Sequence, residues 1–180
     1  MSTTNDTTNR AERFLGRLRQ ITNDRGKMAA LRRAASASTE RQAWPVIYSL
    51  GEDISSLAAC TIGALYAQHP EEDGKAFSFG VTCRRIATDN GKDFEIPDSF
   101  DRRFRRLLAC DSAEDVAGQL KAWIRFASAK GVGVNYERLF WDLLAWNNHA
   151  DRIKLDWARG FWPMRKEANE EPASEEAPTA

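Results

Sequence analysis

The amino-acid sequence predicts an all-α protein: two small helical bundles packed together, eight or nine helices, no sheet. Three observations predict it. Apolar residues recur at a helical period along nearly all of the 180 residues. No segment alternates apolar and polar residues between hairpin turns, and Val132-Gly133-Val134 is too short and glycine-rich for a strand. An apolar share of 42%, with 6 Trp and 9 Phe, is enough for a core and excludes a wholly disordered chain.

The elements follow in order. Residues 10–20 place Phe14, Leu15 and Leu18 on one stripe among arginines. Gly26 opens a second helix, 27–35, rich in Ala, Leu, Met and Arg, which favour helix. Trp44-Pro45-Val46-Ile47-Tyr48 suits a helix start, because proline is tolerated in the first turn. Residues 52–68 carry Ile54, Leu57, Ala58, Ile62 and Leu65, a face wide enough for a bundle centre, with Glu52-Asp53 as acidic charge at the positive end of the helix dipole. His69-Pro70-Glu71-Glu72-Asp73-Gly74 is a solvated loop, and the stretch 69–76 divides the two bundles. Helices are expected over 79–88 and, after the turn Asp89-Asn90-Gly91-Lys92, from Pro97-Asp98 to about Ala109. Asp111-Ser112-Ala113-Glu114 reads as a variant capping box, with Asp111 as cap, opening a helix that Gly131-Val132-Gly133 ends after Lys130. Asn135 caps a helix with Tyr136, Leu139, Phe140, Leu143 and Leu144 on one stripe, and a last helix spans about 150–161. In domain terms, 1–9 is a flexible N-terminus, 10–74 the first bundle, 75–166 the second and 167–180 a disordered acidic tail.

The formal net charge is zero, with 26 basic and 26 acidic side chains, but the charges are unevenly placed. Residues 167–180 hold five Glu and no Lys or Arg, among Pro172, Pro178 and small polar residues. Without them the body has 26 basic and 21 acidic residues, a net +5. Its basic residues cluster over 10–33, over 101–106 and over 152–166.

Little else in the chain suggests chemistry. Cys60, Cys83 and Cys110 form no C-x-x-C pair and read as small buried hydrophobes. The only histidines, His69 and His149, have no second His or Cys near them to complete a ligand set, so loop or surface roles are expected. There is no phosphate-cradling G-x-x-x-x-G-K-S/T or G-x-G-x-x-G, no H-E-x-x-H and no G-x-S-x-G, so no catalysis, metal or cofactor is expected. The longest apolar runs fall far short of the roughly 18 residues of a membrane span. The start, MSTTNDTTNR, has no apolar stretch of a secretory signal, so a cytoplasmic location with reduced thiols is expected.

The arginines are more informative. On a helical wheel Phe100, Phe104, Leu107 and Leu108 share one arc, with Arg102, Arg105 and Arg106 opposite and Arg103 at the edge. Phe79, Cys83 and Ile86 form a stripe from which Arg84 and Arg85 point away. Met28, Leu31 and Ala35 share a face that Arg32 flanks and Arg33 avoids. Guanidinium pairs bidentately with phosphate and stays charged at any working pH. Trp141 and Trp146 could stack bases, but their helix carries a strong packing stripe and packing is the preferred reading.

Five segments in order carry a family resemblance: Ala30-Leu31-Arg32-Arg33-Ala34; Phe79-Gly80-Val81-Thr82-Cys83-Arg84-Arg85-Ile86; Phe100-Asp101-Arg102-Arg103-Phe104-Arg105-Arg106-Leu107-Leu108; residues 135–146, from Asn135-Tyr136-Glu137 to Leu144-Ala145-Trp146; and residues 153–162, ending Gly160-Phe161-Trp162. Together, over about residues 10–162, they resemble the CasB family, the small subunit of the type I-E CRISPR Cascade surveillance complex. The resemblance implies an all-helical, non-catalytic protein of two small bundles, present in two copies beside the guide RNA. It implies crRNA, the target DNA strand, the displaced strand and other Cascade subunits as partners, with no membrane. Such subunits help hold both DNA strands when an R-loop opens, and a separate helicase-nuclease cuts. Carried over by motif, Arg32, Arg33, Arg84, Arg85, Arg102, Arg103, Arg105 and Arg106 are the implied nucleic-acid contacts. The acidic tail departs from the family pattern. In guided systems base pairing reads sequence, so backbone contacts suffice for the protein. Two alternatives remain: a helical adaptor whose basic faces meet acidic proteins, and a helix-turn-helix regulator, for which Arg19-Gln20-Ile21-Thr22-Asn23-Asp24 offers a poor turn.

Overall fold

The computed structural model describes residues 3–36, 38–91 and 95–162; the stretch 167–180 read as an acidic tail lies outside them. Eight α-helices follow in order: α1 (Thr3–Gln20), α2 (Arg25–Arg33), α3 (Trp44–Ser49), α4 (Leu57–Gln68), α5 (Phe79–Ala87), α6 (Asp98–Leu108), α7 (Ala113–Lys130) and α8 (Tyr136–Phe161), with a 3-10 turn at Glu40–Gln42 before α3. Among the described residues there is no strand, only one isolated parallel bridge between Glu72 and Val134. The all-α expectation holds. Helix α1 already begins at Thr3, ahead of the Arg10 start expected for the first bundle.

Local chemistry sets most helix ends. The side chain of Asp24 accepts from Lys27 N, that of Ser56 from Ala59 N, and that of Asn135 from Arg138 N, each satisfying a first-turn donor that has no partner inside the helix. Gly131, at φ +61°, ends α7 in the left-handed region that glycine enters without strain. Two expectations shift. The cap of α7 is Ser112, not Asp111: Ser112 Oγ accepts from Asp115 N at 3.1 Å and donates to Asp115 Oδ2 at 2.8 Å, while Asp111 is almost fully exposed. Helix α4 begins at Leu57 rather than 52, because Asp53 Oδ1 takes both the backbone N–H and the hydroxyl of Ser55, at 2.7 and 2.6 Å, holding that stretch in a turn. Ile54 therefore lies outside the helix and is exposed.

Helix α4 is buried on nearly every side, from Ala58 and Ala59 through Ile62–Ala67, and packs against α2, α7 and α8. The core is one continuous cluster drawing on every helix from α1 to α8, and the loop 69–76, expected as a divider, is latched to the α7–α8 connection. Asp73 N donates to Val134 O and Val134 N to Glu71 O, both at 3.0 Å. His69, expected in a surface or loop role, is buried, with Nε2 2.8 Å from Val132 O. The Tyr136 hydroxyl donates to His69 O at 2.5 Å. Of the three cysteines expected to be buried, only Cys83 is; Cys60 and Cys110 are half-buried, and partial burial pushes the Cys60 thiol up to about 11.

Helix α8 is two arms joined by a sharp bend. His149 has non-helical angles, φ −138° and ψ 28°, inside the connection 147–150 that the sequence marks. A straight helix would separate residues 142 and 157 by about 22 Å. Instead, Trp157 Nε1 donates to Asp142 Oδ2 at 2.7 Å, and Arg138 reaches both Asp142 Oδ1 at 2.9 Å and Asp156 Oδ2 at 3.3 Å. The arms therefore lie side by side. Burial pushes the Asp142 carboxyl up, against the indole N–H and the guanidinium that favour its ionised form. Leu139, Leu143 and Trp146 take the inner face of the first arm, and Leu144, expected among them, is exposed.

Helix α5 crosses the second arm closely. A Cβ on Gly80 would collide with the backbone carbonyl of Trp157, and one on Gly160 would meet Ser78 and Val81. Gly80→Ala is expected to destabilise the protein by about 2–3 kcal/mol through overpacking. That lowers Tm by roughly 5–10 °C for a chain of this size, as thermal unfolding would read.

Candidate nucleic-acid interface

Helix α6 divides as its sequence predicts. Phe104 and Leu107 are fully buried, Phe100 and Leu108 half-buried, and Arg102, Arg103, Arg105 and Arg106 exposed. Its underside is aromatic. Phe104 stacks on Phe161 with centroids 3.9 Å apart and meets Trp123 and Trp162 edge-on; Phe100 packs on Trp123 and Phe126. Such ring pairs add stabilisation beyond area burial and fix the helix's rotation about its axis.

The four guanidinium groups of α6 and Ser99 line one open groove of about 440 Å³. Two are braced against rings: Arg103 lies over Phe126, 5.3 Å from the centroid, and Arg105 over Trp162, at 5.0 Å. Arg105 Nε also donates to Asp101 Oδ2 at 2.6 Å, and Trp162 Nε1 donates to Asp101 Oδ1 at 2.8 Å. Asp101 thus fixes both the guanidinium and the indole beneath it. Arg102 and Arg106, one turn apart, form no ion pair among the described residues. The groove can therefore offer two unpaired and two braced guanidinium groups to successive anions on an extended backbone.

The other expected contacts lie elsewhere, and half of them are engaged. Arg32 Nε donates to Ala67 O at 2.8 Å, capping a carbonyl in the last turn of α4. Arg85 is paired with Asp73. Arg33 is exposed and Arg84 half-buried, neither with an ion pair among the described residues. Several basic residues over 10–33 are likewise paired within the chain while remaining at its surface. Arg10 makes a forked contact with the buried Glu52, its closest approach 2.6 Å; Arg17 donates to Leu50 O; Arg19 forks to Glu72 at 2.6 and 2.8 Å. Glu52 is therefore a buried ion-pair partner rather than dipole charge, while Glu72 and Asp73, in a loop that is solvated as expected, also pair with Arg19 and Arg85. Lys130 Nζ similarly caps Ile86 O in the last turn of α5. Trp162 and Phe126 are the supporting residues that sequence reading missed. The Asp101–Arg105 spacing, one helical turn, was the available signal for that brace.

The described residues hold no group of three or more His, Cys, Asp or Glu fit for a metal, and no helix long and apolar enough to cross a membrane. Trp146 is fully buried, as the packing reading expected, and Trp141 half-buried against Phe140.

The fold and this face define an all-helical protein that presents arginines outward from an aromatic floor. Residues 27–162 match the family model described as CRISPR-associated protein Cse2. The fold is that of the crystal structure of TTHB189, a Cse2-family CRISPR-associated protein from Thermus thermophilus, with a TM-score of 0.66 and 22% identity over 84% of this chain and 96% of that one. No curated protein matches the chain in sequence. The chain belongs to the Cse2 family, also called CasB, the small structural subunit of type I-E systems.

The Arg105 guanidinium holds the Asp101 carboxyl below the usual carboxylate range. A lowered folded-state pKa gives stabilisation that is present above the unfolded value, near 3.9, and lost as pH falls through the folded one. The indole N–H resonance of Trp162 is expected to show a titration step from Asp101 below about pH 4. In Asp101→Asn that step should be absent.

Proposed function

We propose that the chain acts in the cytoplasm as a non-catalytic subunit of a type I-E Cascade, gripping nucleic-acid backbone through the α6 groove. There it stabilises crRNA–target pairing and the displaced strand of the R-loop, alongside the other Cascade subunits and a second copy of itself. The observation that carries this reading is the groove of four guanidinium groups on one rigid helix, two of them without an ion partner among the described residues. Arg33 and Arg84 are secondary contacts in this reading. Arg32 and Arg85, engaged internally, contribute through position rather than as free cations.

Exchange of a DNA duplex for an RNA–DNA hybrid is nearly balanced in free energy, so a sequence-independent grip on a released strand shifts it. Each neutralised phosphate on a single strand contributes about 0.7 to the slope of log affinity against log salt. Arg102→Ala with Arg106→Ala should therefore weaken single-strand binding at low salt and flatten that slope by about 1.4. In the reconstituted complex, R-loop lifetime should shorten. Unchanged slope and lifetime would remove α6 from the interface.

A further inference from the structure

We propose that the acidic C-terminal segment, residues 167–180, docks in the α6 arginine groove of the free subunit and must be displaced by nucleic acid. The consequence for nucleic acid rests on the function proposed above; the docking itself does not.

The described chain ends beside the groove. Trp162 is its last residue, with its ring 5.0 Å beneath the Arg105 guanidinium and its indole N–H on Asp101. The next segment therefore departs from the rim of the groove. Its first glutamate, Glu167, is five residues on, within about 17 Å of extended chain, and α6 itself is only about 16 Å long. Glu170, Glu171, Glu175 and Glu176 follow, with no Lys or Arg after Lys166. Arg102 and Arg106 offer guanidinium forks without an ion partner among the described residues, and a carboxylate matches that fork as a phosphate does.

Each exposed pair is weak. A short tether supplies the carboxylates at millimolar effective concentration, so weak pairs suffice to occupy the groove part of the time. A nucleic-acid strand carries denser charge and releases counterions on binding, so it displaces the segment, whereas a sparse or incidental anion does not. The segment would then suppress unproductive binding before assembly without blocking the assembled state.

The test compares the full chain with a full-length variant carrying E167Q, E170Q, E171Q, E175Q and E176Q. Fluorescence anisotropy reads binding of a labelled oligo-dT of about 20 nucleotides at low salt, long enough to span a groove of this length. The variant is expected to bind roughly 3- to 10-fold tighter, the gap closing as salt rises. The same five changes are repeated in an Arg102→Ala, Arg106→Ala background. Docking predicts that the gain largely vanishes there; an equal gain in both backgrounds would mean general charge repulsion and overturn the proposal. Equal affinity of the full chain and the five-Gln variant, with the arginine changes weakening both, would overturn docking and leave the proposed function standing. If no form binds the oligonucleotide, the proposed function fails. Docking is then decided by NMR: the Arg102, Arg106 and Trp162 side-chain N–H resonances must differ between full chain and five-Gln variant. A difference that grows with protein concentration would assign the segment to the groove of a second copy and overturn the intramolecular form.

Discussion

The buried Asp142 and the sharp bend in α8 underlie the rest of the arrangement. By accepting from the Trp157 indole and pairing with Arg138, Asp142 holds the second arm of α8 against the first. That arm carries Phe161 under Phe104 and Trp162 under Arg105. It also supplies the backbone carbonyl over which Gly80 passes, seating α5. A buried carboxylate with its hydrogen-bonding positions filled specifies one arrangement more sharply than an apolar contact could, because a misplaced arm would leave it unsatisfied. The arginine groove is thus held in place from a point well inside the core.

Charge is used inside this protein as well as displayed. Arg10, Arg17, Arg19, Arg32 and Lys130 meet buried carboxylates, loop carboxylates or helix-end carbonyls. Carbonyls at a helix C-terminus lack partners within the helix and sit at the negative end of its dipole, so a long cationic side chain from a neighbouring helix satisfies both needs. An arginine-rich helical chain therefore has two uses for its guanidinium groups, and only those left over can face a ligand.

This explains which features were legible in the sequence. The helices, the Asn135 and Gly131 caps, the bend near His149 and the split of α6 are local: they depend on residues one or two turns apart, and periodicity shows them. The roles of Glu52, Glu72 and Asp73 are not local. Their partners lie 42, 53 and 12 residues away, a distance over which spacing carries no information. The ion pair of Glu52 and the engagement of Arg32 and Arg85 are therefore invisible to spacing. The α6 groove was legible because its arginines share a single helix. Its aromatic floor was only half visible, since Phe126 and Trp162 arrive from other parts of the chain.

Helix α6 also separates two kinds of constraint. Among the described residues its inner side is joined to the rest by rings and by the Asp101–Trp162 bond, while Arg102 and Arg106 form no ion pair. Selection can therefore retune the outward charges, in number or in pitch, while the inward residues stay fixed. The charge of the outward face and the packing of the inward one are thus set by separate residues of the same helix.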